Sequence, residues 1–236
     1  MNHHKRLSIC YAAPGQNFVP SAGPTRNVLN LANALSQWAE VTVAFRGVPL
    51  EFLDNGKYKV IAIESQAEAV SAFKDDNATR GLHPLQHMSY CRSLWDFSRE
   101  QASSYDVVLE KGWRLSGYLL SAFRRRGLPG VLVENNVHQW SGRLSSLEAV
   151  AKCMFHVAAH EVASRCSRRA SAVIAETEEM KRLLVEHRKI RPEQIEVVGL
   201  GVDHAVFRPM DQRAARSSLE LDLVDHALET WTDDDM

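Results

Sequence analysis

With 236 residues, 45% of them apolar and 24% charged, the chain has the make-up of a globular protein, enough for one large domain or one and a half ordinary ones. Disorder needs fewer hydrophobics and a wider charge imbalance. The 28 Lys and Arg stand against 29 Asp and Glu, so no global field draws the chain to nucleic acid or to an anionic membrane, and neither is an expected partner.

Residues 1–6 are polar and run directly into a strand-like segment, without the apolar stretch or cleavage site of a secretory signal. No uninterrupted apolar run approaches the roughly 20 residues that span a bilayer, so no transmembrane segment is expected. Cys10, Cys91, Cys153 and Cys166 are scattered and form no C-x-x-C pair, which suits a reduced, cytoplasmic protein. The basic knots at residues 124–126 and 165–169 read as solvated helix ends, where cations suit the negative pole of the dipole.

Residues 6–12, RLSICYA, alternate and are apolar enough for a first strand. The loop APGQNFVPSAGP follows with two Gly and three Pro, which excludes helix and permits close backbone approach. Thr25 is the expected N-cap of a helix whose Val28, Leu31, Ala32 and Leu35 fall at i, i+3, i+4 and i+7. EVTVAF (40–45) and YKVIAI (58–63) are short, β-branched strands. Residues 66–84 are polar and mixed, a helix or a loop.

A helix over 85–103 precedes the strand YDVVLEKG (105–112), and RLSGYLLSAFRRRG (114–127) reads as a helix ended by Gly127 and Pro129. GVLVENN (130–136) is a strand whose end turns polar. A long helix over 147–168, the strand SAVIAET (171–177), the helix EEMKRLLVEH (178–187) and the strand QIEVVGLGVD (194–203) complete the series, with Pro192 between the last two.

Strands alternating with helices this regularly imply an α/β fold, a Rossmann-like, mostly parallel sheet with helices on both faces. Ligands in such sheets sit beyond the carboxyl ends of the strands. That edge gathers the loop after Ala12, Glu110-Lys111-Gly112, Glu134-Asn135-Asn136, Glu176-Thr177 and residues 199–203. The last stretch, 217–236, differs: it holds seven Asp or Glu, no Lys or Arg, and too few apolar residues for a second core.

Three constellations bear on chemistry. The first loop, feeding a helix N-terminus, has the parts to set backbone N–H groups and a positive dipole against a phosphate, and is otherwise a plain connection. It is neither G-x-G-x-x-G nor a G-K-[ST] phosphate loop. Cys153, His156 and His160, at i, i+3 and i+7, share one helical face that would need a fourth ligand to hold zinc; half-buried packing residues are the favoured reading, and no metal is expected. No G-x-S-x-G elbow, cysteine nucleophile context or stacking platform for single strands is present.

Read together, SAGPTRNVLNLANALSQWAEVTVAF, GVLVENNVHQW and ASAVIAETEEMKRLLVEHRKIRPEQIEVVGLGVDHAVFRP resemble, in order and spacing, the N-terminal lobe of family-4 glycosyltransferases of the GT-B fold, from about residue 7 to 216. Leu200 stands where that family usually has Asn before Gly-Val-Asp, and Glu176-Thr177 replaces its usual Val-Ser. The resemblance implies transfer of a sugar from a nucleotide diphosphosugar to an acceptor hydroxyl, with retained configuration and neither metal nor cofactor. It places Gly23 beside the donor diphosphate, with Ala22 and Pro24 shaping the loop, and Glu134 and Asn136 toward the acceptor or the sugar. His138, in the region where some relatives contact the transferred sugar, is the catalytic candidate; a loop histidine bonded to backbone is the other reading. Gly201, Val202 and Asp203 are the hinge into a second lobe, or a simple strand end.

In the resembled family most nucleotide-sugar contacts come from that second lobe. Glu220 and Glu229 do not have the family's E-x7-E spacing, so the expected domains are an acceptor-side domain over 1–210 and an acidic tail over 211–236. The expectation is the N-terminal half of a retaining transferase, nearly inactive alone. It would bind nucleotide-sugar and acceptor only with a complementary C-terminal lobe, such as a separate donor-lobe polypeptide. The alternative is a non-catalytic binding or scaffolding module derived from such a lobe.

Overall fold

The computed structural model describes residues 6–49, 57–64, 84–136, 146–199, 201 and 211. The chain divides into two compact units, Met1–Gly199 and Leu200–Met236, and the architecture that follows is that of the first. Its strands are β1 (Leu7–Ala13), β2 (Ala39–Phe45), β3 (Lys59–Ala62), β4 (Val107–Lys111), β5 (Gly130–Glu134), β6 (Ala172–Ala175) and β7 (Ile195–Val197). The helices between them are α1 (Gly23–Leu35), α2 (Pro84–Gln101), α3 (Tyr118–Arg124), α4 (Leu147–Ser167) and α5 (Glu178–Arg188).

All strand pairs are parallel, in the order β3-β2-β1-β4-β5-β6-β7. Strand order reverses between β1 and β4, the position where open α/β sheets form their ligand crevice. Side-chain alternation sends Cys10, Ala12, Val108, Leu132, Val173 and Ala175 to one face, where they join Tyr90, Leu94, Leu119, Phe123 and Leu184 of the helices α2, α3 and α5. Ile9, Tyr11, Ala13, Val41, Val43 and Phe45 go to the other and pack on Val28 and Ala32 of α1. The expected α/β class with helices on both faces is what the chain forms.

Two local expectations need correction. Thr25 is not the N-cap of α1: the helix starts two residues earlier at Gly23, Pro24 fills a first-turn position that needs no N–H, and Ala22 is the cap. The Thr25 hydroxyl instead accepts a hydrogen bond from Val19 N at 3.3 Å and latches the preceding loop. Residues 114–117 are turn and not helix, because the buried Glu110 carboxylate captures Gly117 N and Leu120 N, both at 2.8 Å. Gly117 begins α3 in the left-handed region, φ 80°. The calls on 66–83 and on 212–236, and His138, lie outside the described residues.

Candidate functional site

The parallel sheet places the ends of β1, β4, β5 and β6 along one edge, and each carries a polar residue into a different environment. After β1 the loop is pinned on three sides. Phe18 N donates to Gly47 O at 2.9 Å, Arg46 N donates to Gln16 O at 2.9 Å, and the Tyr90 hydroxyl donates to Pro14 O. Arg46 is itself fixed by Glu64 at 2.6 Å and lies 4.7 Å over the Tyr90 ring. Gly15 packs so closely on Trp113 that an added Cβ would come within 2.6 Å of the Trp113 Cβ, so the two loops flanking the switch point touch.

This anchored loop delivers the start of α1. Ala22 makes no side-chain cap, Pro24 has no N–H, and no acidic residue lies in the first turn. Arg26 N takes the first intrahelical bond, to Ala22 O at 3.0 Å, which leaves Gly23 N and Thr25 N without an intrahelical acceptor. A Cβ on Gly23 would meet none of the described residues within 4 Å. By contrast, the Thr177 hydroxyl caps α5, accepting from Met180 N at 3.0 Å, with Glu178 and Glu179 in its first turn. Among these two helix starts at the edge, only that of α1 is left electropositive and open.

The carboxylates behind it are enclosed. Glu110 accepts three hydrogen bonds at 2.8 Å, from Trp113 Nε1, Gly117 N and Leu120 N. Burial nevertheless pushes its carboxyl up to about 7 against those bonds. Lys111, on the opposite face, is buried, and desolvation lowers its ammonium while nearby Glu176 works the other way. Glu176 is in turn raised by burial and lowered by Lys111.

The sequence-predicted residues fare differently. Gly23 stands at the open helix start and Asn136 is exposed just beyond β5, on the same edge. Glu134, expected to face acceptor or sugar, turns inward: it is 0% exposed and its Oε1 receives Arg188 Nη1 at 2.5 Å. Arg188 Nη1 also donates to Ser167 Oγ at 3.0 Å, and Ser167 Oγ to Ser116 O at 3.2 Å. Burial raises the Glu134 carboxyl, opposed by Arg188. The physical reason for the inward turn is Gly112, where the missing side chain leaves room that Glu134 Oε2 occupies; an added Cβ would lie 2.0 Å from it.

Sequence reasoning missed Arg188, Arg114 and the Arg46–Glu64 pair, whose partners are remote in the chain. No group of three or more His, Cys, Asp or Glu side chains is placed to hold a metal among the described residues. No described helix is long and apolar enough to cross a membrane.

The chain matches the model of Glycosyltransferase Family 4 over residues 22–206. No curated protein matches it. Among solved structures it is similar to Anabaena HepE (Alr3699) in complex with UDP-glucose, at 14% identity and a TM-score of 0.56, over 91% of this chain and 50% of that one. It is also similar to a glycosyltransferase from Rickettsia africae, at 13% identity and a TM-score of 0.52, over 92% of this chain and 50% of that one. WaaG, a glycosyltransferase of lipopolysaccharide biosynthesis, matches at 11% identity and a TM-score of 0.50, over 90% and 51%. This chain thus spans about half the length of these structures, as one lobe of a GT-B enzyme would. With the family model reaching from the loop before α1 to beyond β7, the chain belongs to Glycosyltransferase Family 4.

Proposed function

We propose that the chain is the N-terminal, acceptor-side half of a retaining glycosyltransferase that moves a sugar from a nucleotide diphosphosugar to an acceptor hydroxyl. The observation that carries this reading is the uncapped, acid-free start of α1 at the carboxyl edge of the sheet, held open by an anchored loop. Backbone N–H groups and a helix dipole there suit the donor diphosphate. Gly23 lets a phosphate approach the backbone, since none of the described residues occupies the space where its side chain would stand. Asn136 offers an amide to a sugar or acceptor hydroxyl from the end of β5. Glu134 acts as a positioning residue, through Arg188 and the turn over Gly112, and His138 is kept as the candidate that contacts the transferred sugar. HepE, a structure of the same fold, was crystallised with UDP-glucose, which supports a nucleotide-sugar as the donor class.

Sugar transfer needs donor and acceptor aligned in a water-excluding cleft, so the second wall comes from a complementary donor lobe, in the same or another polypeptide. Without it the leaving diphosphate lacks electrostatic stabilisation typically worth several kcal/mol, and turnover by this chain alone is expected to be very low. The test is to supply a family-4 C-terminal lobe and assay donor hydrolysis and transfer. Restored turnover supports the reading. A well-folded pair with no turnover, together with specific capture of a protein ligand, favours a binding or scaffolding module instead.

A further inference from the structure

Four cationic or protonatable side chains converge around Ala159, on the sheet face opposite the one α1 covers, and three of them, Arg114, His156 and His160, have no part in the proposed transfer site. Arg114 comes from the turn after β4, His156 and His160 from one face of α4, and Arg188 from the end of α5. Together with Ala159 and Ala163 they line a small pocket of ≈ 10 Å³, room for one oxygen-sized group. Arg188 is 1% exposed, yet its Nε has no hydrogen-bond partner among the described residues. A buried guanidinium N–H left unpaired costs free energy, so its retention calls for an acceptor at that position. The other unpaired buried atom of this pair, the acceptor Glu134 Oε2, lies against Gly112.

We propose that Arg114, His156, His160 and Arg188 form a binding site for a tetrahedral oxyanion, a phosphate group being the natural class. One oxygen enters the pocket to accept from Arg188 Nε, and the remaining oxygens stay at the mouth, within reach of Arg114 and the imidazoles. Other charges face the site from each element around it. Glu134 of β5 neutralises part of Arg188, Glu161 of α4 approaches His160 but is bonded to Arg165 at 2.7 Å, and His187 of α5 adds to the positive field. Arg168, in the turn after α4, donates to Arg188 O at 3.3 Å and helps hold the end of α5 in place. Burial lowers both imidazoles, with Arg114 adding to the effect at His156 and Arg188 and His187 at His160. An anion reverses that repulsion, so binding is coupled to proton uptake. The anion site does not rest on the proposed transferase reading.

The experiment follows the histidine ring signals of the full 236-residue chain by NMR while inorganic phosphate or sulfate is added at ionic strength held constant with sodium chloride. His156→Gln and His160→Gln variants assign the signals. Both anions are expected to shift His156 and His160 saturably and to raise the pKa of each. Sulfate, whose own charge is constant in this range, should bind more tightly as the pH falls from about 7.5 to about 5.5. Arg114→Gln should weaken sulfate about tenfold or more while the chain stays folded. Shifts no larger than those of the chloride control, or affinity unchanged in Arg114→Gln, would overturn the proposal. No nucleotide-sugar or second lobe enters this titration, so its failure leaves the transferase reading standing, and absent sugar turnover leaves the anion site standing.

Discussion

Glu110 shows how a single enclosed carboxylate governs local structure. It serves as a cap for α3 reached from a neighbouring strand, and it binds the turn through Trp113 and Gly117. Because its folded pKa, about 7, lies above the ordinary carboxyl value of 4.5, its contribution is fully present at low pH and is lost as the pH rises through that window. Stability at pH 7.5 should therefore trail that at pH 4.5 by up to roughly 3 kcal/mol on account of this group. Glu110→Gln, measured by urea unfolding across the same pH range, should flatten that slope; an unchanged slope would contradict the assignment. At Gly112 the close approach of Glu134 Oε2 leaves no room for a methyl group. Gly112→Ala should displace the carboxylate from Arg188 and destabilise the fold by about 3 kcal/mol or more, the scale of a broken buried ion pair. A variant as stable as the parent would show that the pair is not sensitive to this contact. None of this was legible in the sequence. Glu134 and Arg188 are 54 positions apart, and no local pattern tells an inward carboxylate at a strand end from an outward one.

Among the elements, α1 and α5 make the clearest contrast. Thr177 and the two acids that follow cap α5 in the ordinary way, so Thr177→Ala should cost about 1 kcal/mol in unfolding experiments. At α1 the cap is missing where one would stabilise the helix. Ala22→Asp should stabilise the chain by about 0.5–1 kcal/mol, yet weaken nucleotide-sugar use by the complemented enzyme at least about tenfold, because the new carboxylate repels the diphosphate. Stabilisation without loss of activity would mean that the helix start serves only the fold. Strands and long helices were readable from periodicity, since β5 and β6 alternate in burial and α1 carries Val28 and Ala32 on one face. Thr25 was misread because cap preference was weighed above the Gly23-Pro24 signal, which already marks a first turn. The turn at 114–117 escaped because the bonds that create it come from Glu110, outside the segment.

For the sheet as a whole, strand order reverses between β1 and β4, where open α/β sheets form their ligand crevice, and both flanking loops are anchored by hydrogen bonds. The fold was legible because regular strand–helix alternation admits few other architectures. The chain covers half the length of the structures it resembles, so the central claim is that this edge is one wall of a sugar-transfer cleft. The most direct measurement is donor turnover by the chain joined to a family-4 C-terminal lobe, compared with each half alone and with the Asn136→Ala pair. The account predicts turnover from the joined protein alone, and a kcat/KM about tenfold or more lower for Asn136→Ala. A folded, nucleotide-sugar-binding pair with no turnover, or with turnover indifferent to Asn136 and Ala22 substitutions, would contradict it.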